Sequence, residues 1–230
     1  RWDDQGTEAK LRMISPADVS PDMFDKFRVP THFHVMGNSM DVHPDAWPTA
    51  TAMHGSPNCA STSQMARNHH PRFEDNRFIA EEDSSDLAKD WDGEVARFQQ
   101  MVRNQRLRPD NNGFGFTFEQ PRTLAARGHN YIQQMETRLA QGGDGAMRLE
   151  IDVCQLGAPV QKATDLWVSQ LPFLRALLYD ETKGRHRFQC HGKSAQHKHF
   201  QVRGQTNKSV AFHPALASLL AMGINGSYIG

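Results

Sequence analysis

Cysteine, long apolar runs and net charge are all scarce in this chain. Its 230 residues include three cysteines, none in a Cys-x-x-Cys pair, which is too few for a disulfide framework. No apolar run approaches the roughly 20 residues that cross a bilayer, and no repeat with a period of about 20–50 residues is visible. Lys+Arg and Asp+Glu number 26 each, so the whole chain carries no formal charge to attract nucleic acid. Membrane-spanning, fibrous and solenoid architectures are therefore excluded, and nucleic acid is not expected as a partner.

The domain organisation follows from proline placement and length. Residues 1–30 are polar and contain Pro16, Pro21 and Pro30, which predicts an irregular N-terminal lead-in. They lack the charged-then-apolar pattern of a signal peptide. Residues 31–230 are expected to form a single α/β domain, in a chain long enough to bury about 70% of its unfolded surface. We expect a soluble protein, cytoplasmic or secreted, whose oligomeric state the sequence leaves open.

Hydrophobic periodicity predicts alternating helices and strands. Helices are expected at about 86–106, from Pro121 to Gly142, at about 160–179 with an interruption at Pro172, and from Pro214 to about Met222. Short strands are expected at 11–14, 31–36, 49–53, 111–116, 146–153, 187–190 and 200–203. This alternation is typical of a three-layer α/β fold with a flavodoxin-like central parallel sheet flanked by helices. Its active site would lie beyond the carboxyl ends of the strands.

One turn and one helix entry carry candidate catalytic groups. Gly37-Asn38-Ser39 follows a predicted strand, so the Ser39 hydroxyl can project from a sharp turn. A nucleophilic serine needs a base and donors for the oxyanion. His213, placed directly before Pro214 and a helical run, is the candidate base.

These residues resemble the blocks of the SGNH (GDSL-like) hydrolase family. Val35-Met36-Gly37-Asn38-Ser39-Met40 is similar to the nucleophile block, and Phe212-His213-Pro214 to the last block. The resemblance implies that Ser39 is the nucleophile, that His213 is the base, and that Gly55 or Asn58 is an oxyanion donor. It departs at Thr117, which stands where the family has Asn, and at Val210, which stands where it has the triad Asp.

The resemblance implies a serine ester hydrolase or an acyl-transferring relative. Its substrate would be an acyl ester of a sugar, a lipid or a small molecule. The resemblance implies that no cofactor is required, because Ser39 and His213 would supply the nucleophile and base, and Thr117 would offer a hydroxyl donor.

The 12 histidines support an alternative, a metal-dependent enzyme with zinc or non-haem iron. His32-x-His34 and His197-x-His199 each place two imidazoles on one face of a predicted strand. His43-x-Asp45 with the distant His129 imitates a two-His-one-carboxylate site.

A third alternative is a catalytically inactive binding module with a basic face. Residues 183–208 contain seven Lys and Arg and no acid, whereas 74–92 is strongly acidic. A basic face with interspersed aromatics would bind phosphate or a polyanionic glycan.

Overall fold

The computed structural model describes residues 11–13, 33–35, 50–57, 59, 62, 73–74, 77–78, 85–111, 113–158, 162–191, 199 and 214–229. The chain divides into two compact units, Arg1–Pro48 and Thr49–Gly230. In the first unit, strands β1 (Leu11–Met13) and β2 (Phe33–Val35) pair antiparallel. No helix in the described part of the chain is both long and apolar enough to cross a membrane.

The second unit holds the remaining elements. Its strands are β3 (Ala52–Gly55), β4 (Phe73–Glu74), β5 (Arg77–Phe78), β6 (Gly115–Pro121), β7 (Met147–Asp152), β8 (Ala163–Ser169), β9 (Tyr179–Asp180) and β10 (Arg185–His186). Its α-helices are α1 (Asp86–Arg106), α2 (Leu124–Arg127), α3 (Asn130–Ala140), α4 (Pro172–Leu178) and α5 (Pro214–Ile229). A 3₁₀ turn, Val153–Leu156, directly follows β7.

Four strands form a mixed sheet in the order β3-β6-β8-β7. Strand β3 is parallel to β6 and is joined to it through α1. Strand β8 is antiparallel to both β6 and β7. Strands β3, β6 and β7 therefore run in the same direction, and their carboxyl ends lie at the same end of the sheet.

Helices cover both faces of this sheet. On one face the rings of Phe116, Phe118 and Trp167 pack in a core with residues of α1 and α3. On the other face Leu149 and Leu166 pack in a second core with residues of α4 and α5. The buried positions recur with the helical period along α1, because that helix turns one apolar side toward the sheet.

The structure confirms an α/β fold with helices flanking a sheet, but the sheet is mixed where the sequence predicts a parallel one. Two of the three pairings are antiparallel. Only residues 153–162 join β7 to β8, which is too short for the helical crossover that a parallel pair requires. The described strands thus do not have the all-parallel pairing of a flavodoxin-like sheet.

The predicted element types are confirmed in part. The helix over 86–106 and the strand near 146–153 are confirmed, and α5 runs seven residues past Met222. The helix predicted over 160–179 is wrong in its first half, which is β8. This strand is buried on both faces, so it lacks the alternation that marks a strand in a sequence. Pro121 ends β6 and does not open a helix.

Tyr228 of α5 fastens the beginning of β6. Its hydroxyl accepts the Gly115 N–H at 3.0 Å and lies 2.7 Å from the Thr51 carbonyl oxygen, to which it donates. Gly115 also donates to Thr51 directly, at 3.1 Å. A Cβ on Gly115 would meet the Tyr228 oxygen at 2.8 Å, so a residue without a side chain is required there.

Tyr228→Phe should lower the free energy of unfolding by about 1–2 kcal/mol, because it removes two hydrogen bonds that each contribute about 1 kcal/mol net. The loss is modest because the Gly115–Thr51 bond remains. Urea unfolding followed by tryptophan fluorescence measures it. Tyr179→Phe is the matched control, and an equal effect of both substitutions would contradict the role given to Tyr228.

Candidate metal centre

Residues 186–190 lie beside β7 because polar groups of that strand bind them. The backbone N–H of Glu150 donates to Nδ1 of His186 at 3.2 Å, and the N–H of Asp152 donates to the Phe188 carbonyl at 2.8 Å. The Gln189 amide donates to the Glu150 carboxylate at 2.6 Å. These bonds hold residues 186–190 against β7. Cys190 therefore lies at the carboxyl end of β7, next to the turn that contains Cys154.

Three potential metal ligands meet at this point. The ligand atoms of Cys154, Cys190 and His199 all lie within 4.8 Å of one another. The Cys190 sulfur is 3.5 Å from Nε2 of His199. Tetrahedral zinc with Zn–S of about 2.3 Å and Zn–N of about 2.0 Å places such a pair of ligands about 3.5 Å apart. The spacing of the Cys190 sulfur and the His199 nitrogen therefore matches that of two ligands of a tetrahedral zinc ion.

Burial governs the ionisation of the Cys154 thiol in the metal-free protein. Cys154 is buried, and burial with the hydrogen bond to Cys190 raises the pKa of Cys154 to about 11. The negative charge of Asp152 contributes to this raised pKa. Metal binding would displace the proton, since thiolates are the ligands.

Asp152 supplies negative charge beside the two sulfurs. Its carboxylate is 2% exposed, and Oδ2 accepts the backbone N–H of Cys190 at 2.8 Å. Oδ1 has no hydrogen-bond partner among the described residues. A buried carboxylate oxygen without a donor is costly unless a nearby cation compensates it.

The neighbouring ion pairs leave the region acidic. Asp165 is fully buried and binds two arginines, with Arg127 Nε at 2.6 Å and Arg122 Nε at 3.2 Å. The hydrogen bond to Asp165 raises the pKa of Arg127. Glu150 and Asp152 also contact Arg122, each at 3.6 Å. Three carboxylates thus share two guanidinium groups in this part of the described chain, which leaves one negative charge in excess among these five groups.

Two of the predicted esterase residues are described. Gly55 and Thr117 lie on adjacent strands, with His54 opposite Thr117 in the register. A Cβ on Gly55 would meet the Phe98 ring at 2.5 Å, so this glycine permits close packing against α1. The Thr117 hydroxyl is fully buried and lies 2.7 Å from Nδ1 of His54. Ser39, Asn58, Val210 and His213 lie outside the described residues.

The histidines of the predicted metal sites are placed only in part. His129 caps α3, where its Nδ1 accepts the Tyr131 N–H at 3.3 Å, and its Nε2 lies 3.5 Å from Asp92. His34 belongs to β2 in the first unit. His32, His43, Asp45 and His197 lie outside the described residues, as does most of the basic stretch 183–208. Of that stretch, Arg187 lies 3.6 Å from Asp180.

Sequence reasoning missed both cysteines of the cluster. Cys154 and Cys190 belong to no short motif, and the sequence separation between them conceals their contact. One sequence signal for the cluster was the His197-x-His199 pair, because its second member, His199, belongs to the cluster. A further signal was that Cys154 directly follows the strand predicted at 146–153 and that Cys190 is the last residue of the strand predicted at 187–190.

Glu150→Gln should destabilise the protein more at neutral pH than in acid. Burial raises the pKa of Glu150, but Arg122, the hydrogen bond from Gln189 and Arg127 outweigh it and hold the pKa below its usual 4.5. A carboxyl with a lowered pKa stabilises the fold above its unfolded pKa, and this stability is lost as the pH falls through the folded value. Urea midpoints of the two proteins should therefore converge between about pH 6 and 3. A difference independent of pH would contradict this assignment.

Comparison of the chain with protein-family models, with curated proteins and with solved structures finds no match in any of the three. The likeness to the SGNH family therefore stays a prediction from the quoted residues. The assignment of function rests on the geometry of the side chains described above.

Proposed function

We propose that this protein binds one zinc ion through Cys154, Cys190 and His199. The observation that carries the proposal is the convergence of two thiols and an imidazole within 4.8 Å, with one S···N spacing of 3.5 Å. The proposal keeps the metal-dependent class expected from the histidine content but changes the ligand set.

Ligand type and charge both favour zinc. Thiolate and imidazole are soft and intermediate ligands, which suit zinc better than magnesium or calcium. Two thiolates balance the charge of a divalent ion, and the excess negative charge of the Asp152 region favours a cation further. Asp152 acts on the site through the Cys190 backbone, whose N–H it accepts, and is therefore a positioning residue.

Among the described residues the cluster offers three protein ligands, the number found in catalytic zinc sites, where an open position lets the ion activate a water for hydrolysis. Cys154 follows the carboxyl end of β7, and the sequence predicts an active site beyond the carboxyl ends of the strands. We therefore propose hydrolysis of an ester or amide as the reaction class. The chain's own contribution is to fix the ligands, through the hydrogen bonds between β7 and residues 186–190.

Replacing a ligand should abolish stoichiometric zinc binding. Protein produced without an affinity tag should contain about one zinc per chain by elemental analysis. Cys154→Ser and His199→Gln should weaken zinc binding by more than the roughly 10–100-fold that outer-shell substitutions cost, and Asp152→Asn should fall within that range. Competition with a chromophoric chelator measures each affinity.

Two matched controls separate a built site from adventitious binding. Cys59→Ser removes the cysteine outside the cluster, and His191→Gln removes an exposed histidine next to Cys190. Both should keep the affinity of the unaltered protein. Zinc content below stoichiometry, or equal losses in ligand and control variants, would overturn the proposal.

We propose serine ester hydrolysis by Ser39 and His213 as a second function. The observation that favours it is that Gly55 is the last residue of β3 and that Thr117 lies on the adjacent parallel strand β6, opposite the neighbouring residue His54. The buried contact of Thr117 with His54 restricts that threonine to the role of a supporting residue.

Ser39→Ala should lower turnover of a chromogenic short-chain ester by at least about 10³-fold if Ser39 is the nucleophile. Ser56→Ala is the control, because its hydroxyl donates to Glu119 at 2.7 Å and has no role in the proposed mechanism. Turnover that is unchanged in Ser39→Ala but lost on chelation would reject the serine mechanism in favour of the metal.

A further inference from the structure

Cys154 and Cys190 form a pair whose placement allows a second chemistry besides metal binding. Their sulfurs lie within 4.8 Å of each other, whereas a disulfide requires about 2.05 Å. A change of side-chain rotamer moves a cysteine sulfur by roughly 3 Å, which is enough to close this gap. The third cysteine, Cys59, is not part of the cluster.

The two thiols differ in accessibility. Cys154 is 5% exposed and lies in the 3₁₀ turn after β7. Cys190 is half-buried and lies outside any helix or strand, in the segment that follows β10. His199 Nε2 lies 3.5 Å from the Cys190 sulfur, within hydrogen-bond distance. An incoming reagent therefore meets Cys190 first, and Cys154 is positioned behind it.

We propose that Cys154 and Cys190 are a thiol-modification site that a small disulfide oxidises to an intramolecular disulfide, in competition with zinc. The Cys190 thiolate attacks one sulfur of the reagent, forms a mixed disulfide and releases one reagent thiolate. The Cys154 thiolate then attacks the Cys190 sulfur, closes the protein disulfide and releases the second reagent thiolate. The reagent disulfide is reduced, the two cysteines are oxidised, and their two protons go to the released thiols.

Disulfide formation does not depend on the proposed zinc function, but the competition does. The same two sulfurs cannot be zinc thiolates and a disulfide together, so bound zinc should slow oxidation and oxidation should release zinc. His199 alone would remain as a ligand, which is too few for a stable site.

The test uses the full chain in metal-free and zinc-loaded forms, with glutathione disulfide as the probe. After oxidation, alkylation and trypsin digestion, peptide 149–162 should be joined to peptide 188–193. The mass of the joined product should be lower than the sum of the two reduced peptide masses by two hydrogen atoms. Cys59→Ser should give the same joined peptide. Cys154→Ser should stop at a glutathione adduct on Cys190.

Each outcome of this experiment tests a different part of the proposal. Alkylation of both Cys154 and Cys190 after oxidation, or a link to Cys59, would overturn the disulfide. A joined peptide in a protein that never binds zinc would support the disulfide while rejecting the proposed function. Equal oxidation rates with and without bound zinc, in a protein that does bind it, would overturn the competition. Zinc-loaded protein should oxidise at least about tenfold more slowly, because coordinated thiolates are blocked.

Discussion

The hydrogen bonds between β7 and residues 186–190 are the constraint on which the candidate site depends. Strand β7 lies at one end of the described sheet order, so its outer backbone groups have no strand partner in the sheet. The backbone N–H groups of Glu150 and Asp152 donate to His186 and to the Phe188 carbonyl. The Asp152 carboxylate accepts the N–H of Cys190. A sheet edge that would otherwise remain unpaired is covered, and the same bonds bring Cys190 to Cys154. The hydrogen bonds that cover the outer side of β7 are therefore the same ones that position Cys190 in the candidate site.

The electrostatics of this edge follow from the mixed sheet. Because β8 runs antiparallel between β6 and β7, it places Asp165 opposite Glu150 and next to the arginines that follow β6. Two guanidinium groups then form ion pairs with three carboxylates among the described residues. A buried ion cluster contributes little stability by itself, but it leaves a defined charge where its partners do not balance. Here one negative charge in excess is shared among Glu150, Asp152 and Asp165, and Asp152 also accepts the Cys190 N–H, so a cation is favoured in this part of the described chain.

Local sequence signals predicted the elements whose burial is one-sided. The 21-residue helix α1 has a regular apolar stripe, and its predicted bounds are those of the structure. Strand β8 was predicted as helix because both of its faces are covered, which removes the alternation that identifies a strand. The parallel sheet was predicted from alternation of elements alone, which does not record that the β7–β8 connection is too short for a crossover.

Local signals did not reveal the two cysteines of the site, because Cys154 and Cys190 are distant in sequence and are brought together by hydrogen bonds between β7 and residues 186–190. X-ray absorption at the zinc edge of the full chain is the most direct test of this account. It predicts two sulfur ligands at about 2.3 Å, and nitrogen or oxygen ligands at about 2.0 Å completing four-coordination. A zinc bound by nitrogen and oxygen alone, with no sulfur in its coordination shell, would contradict it.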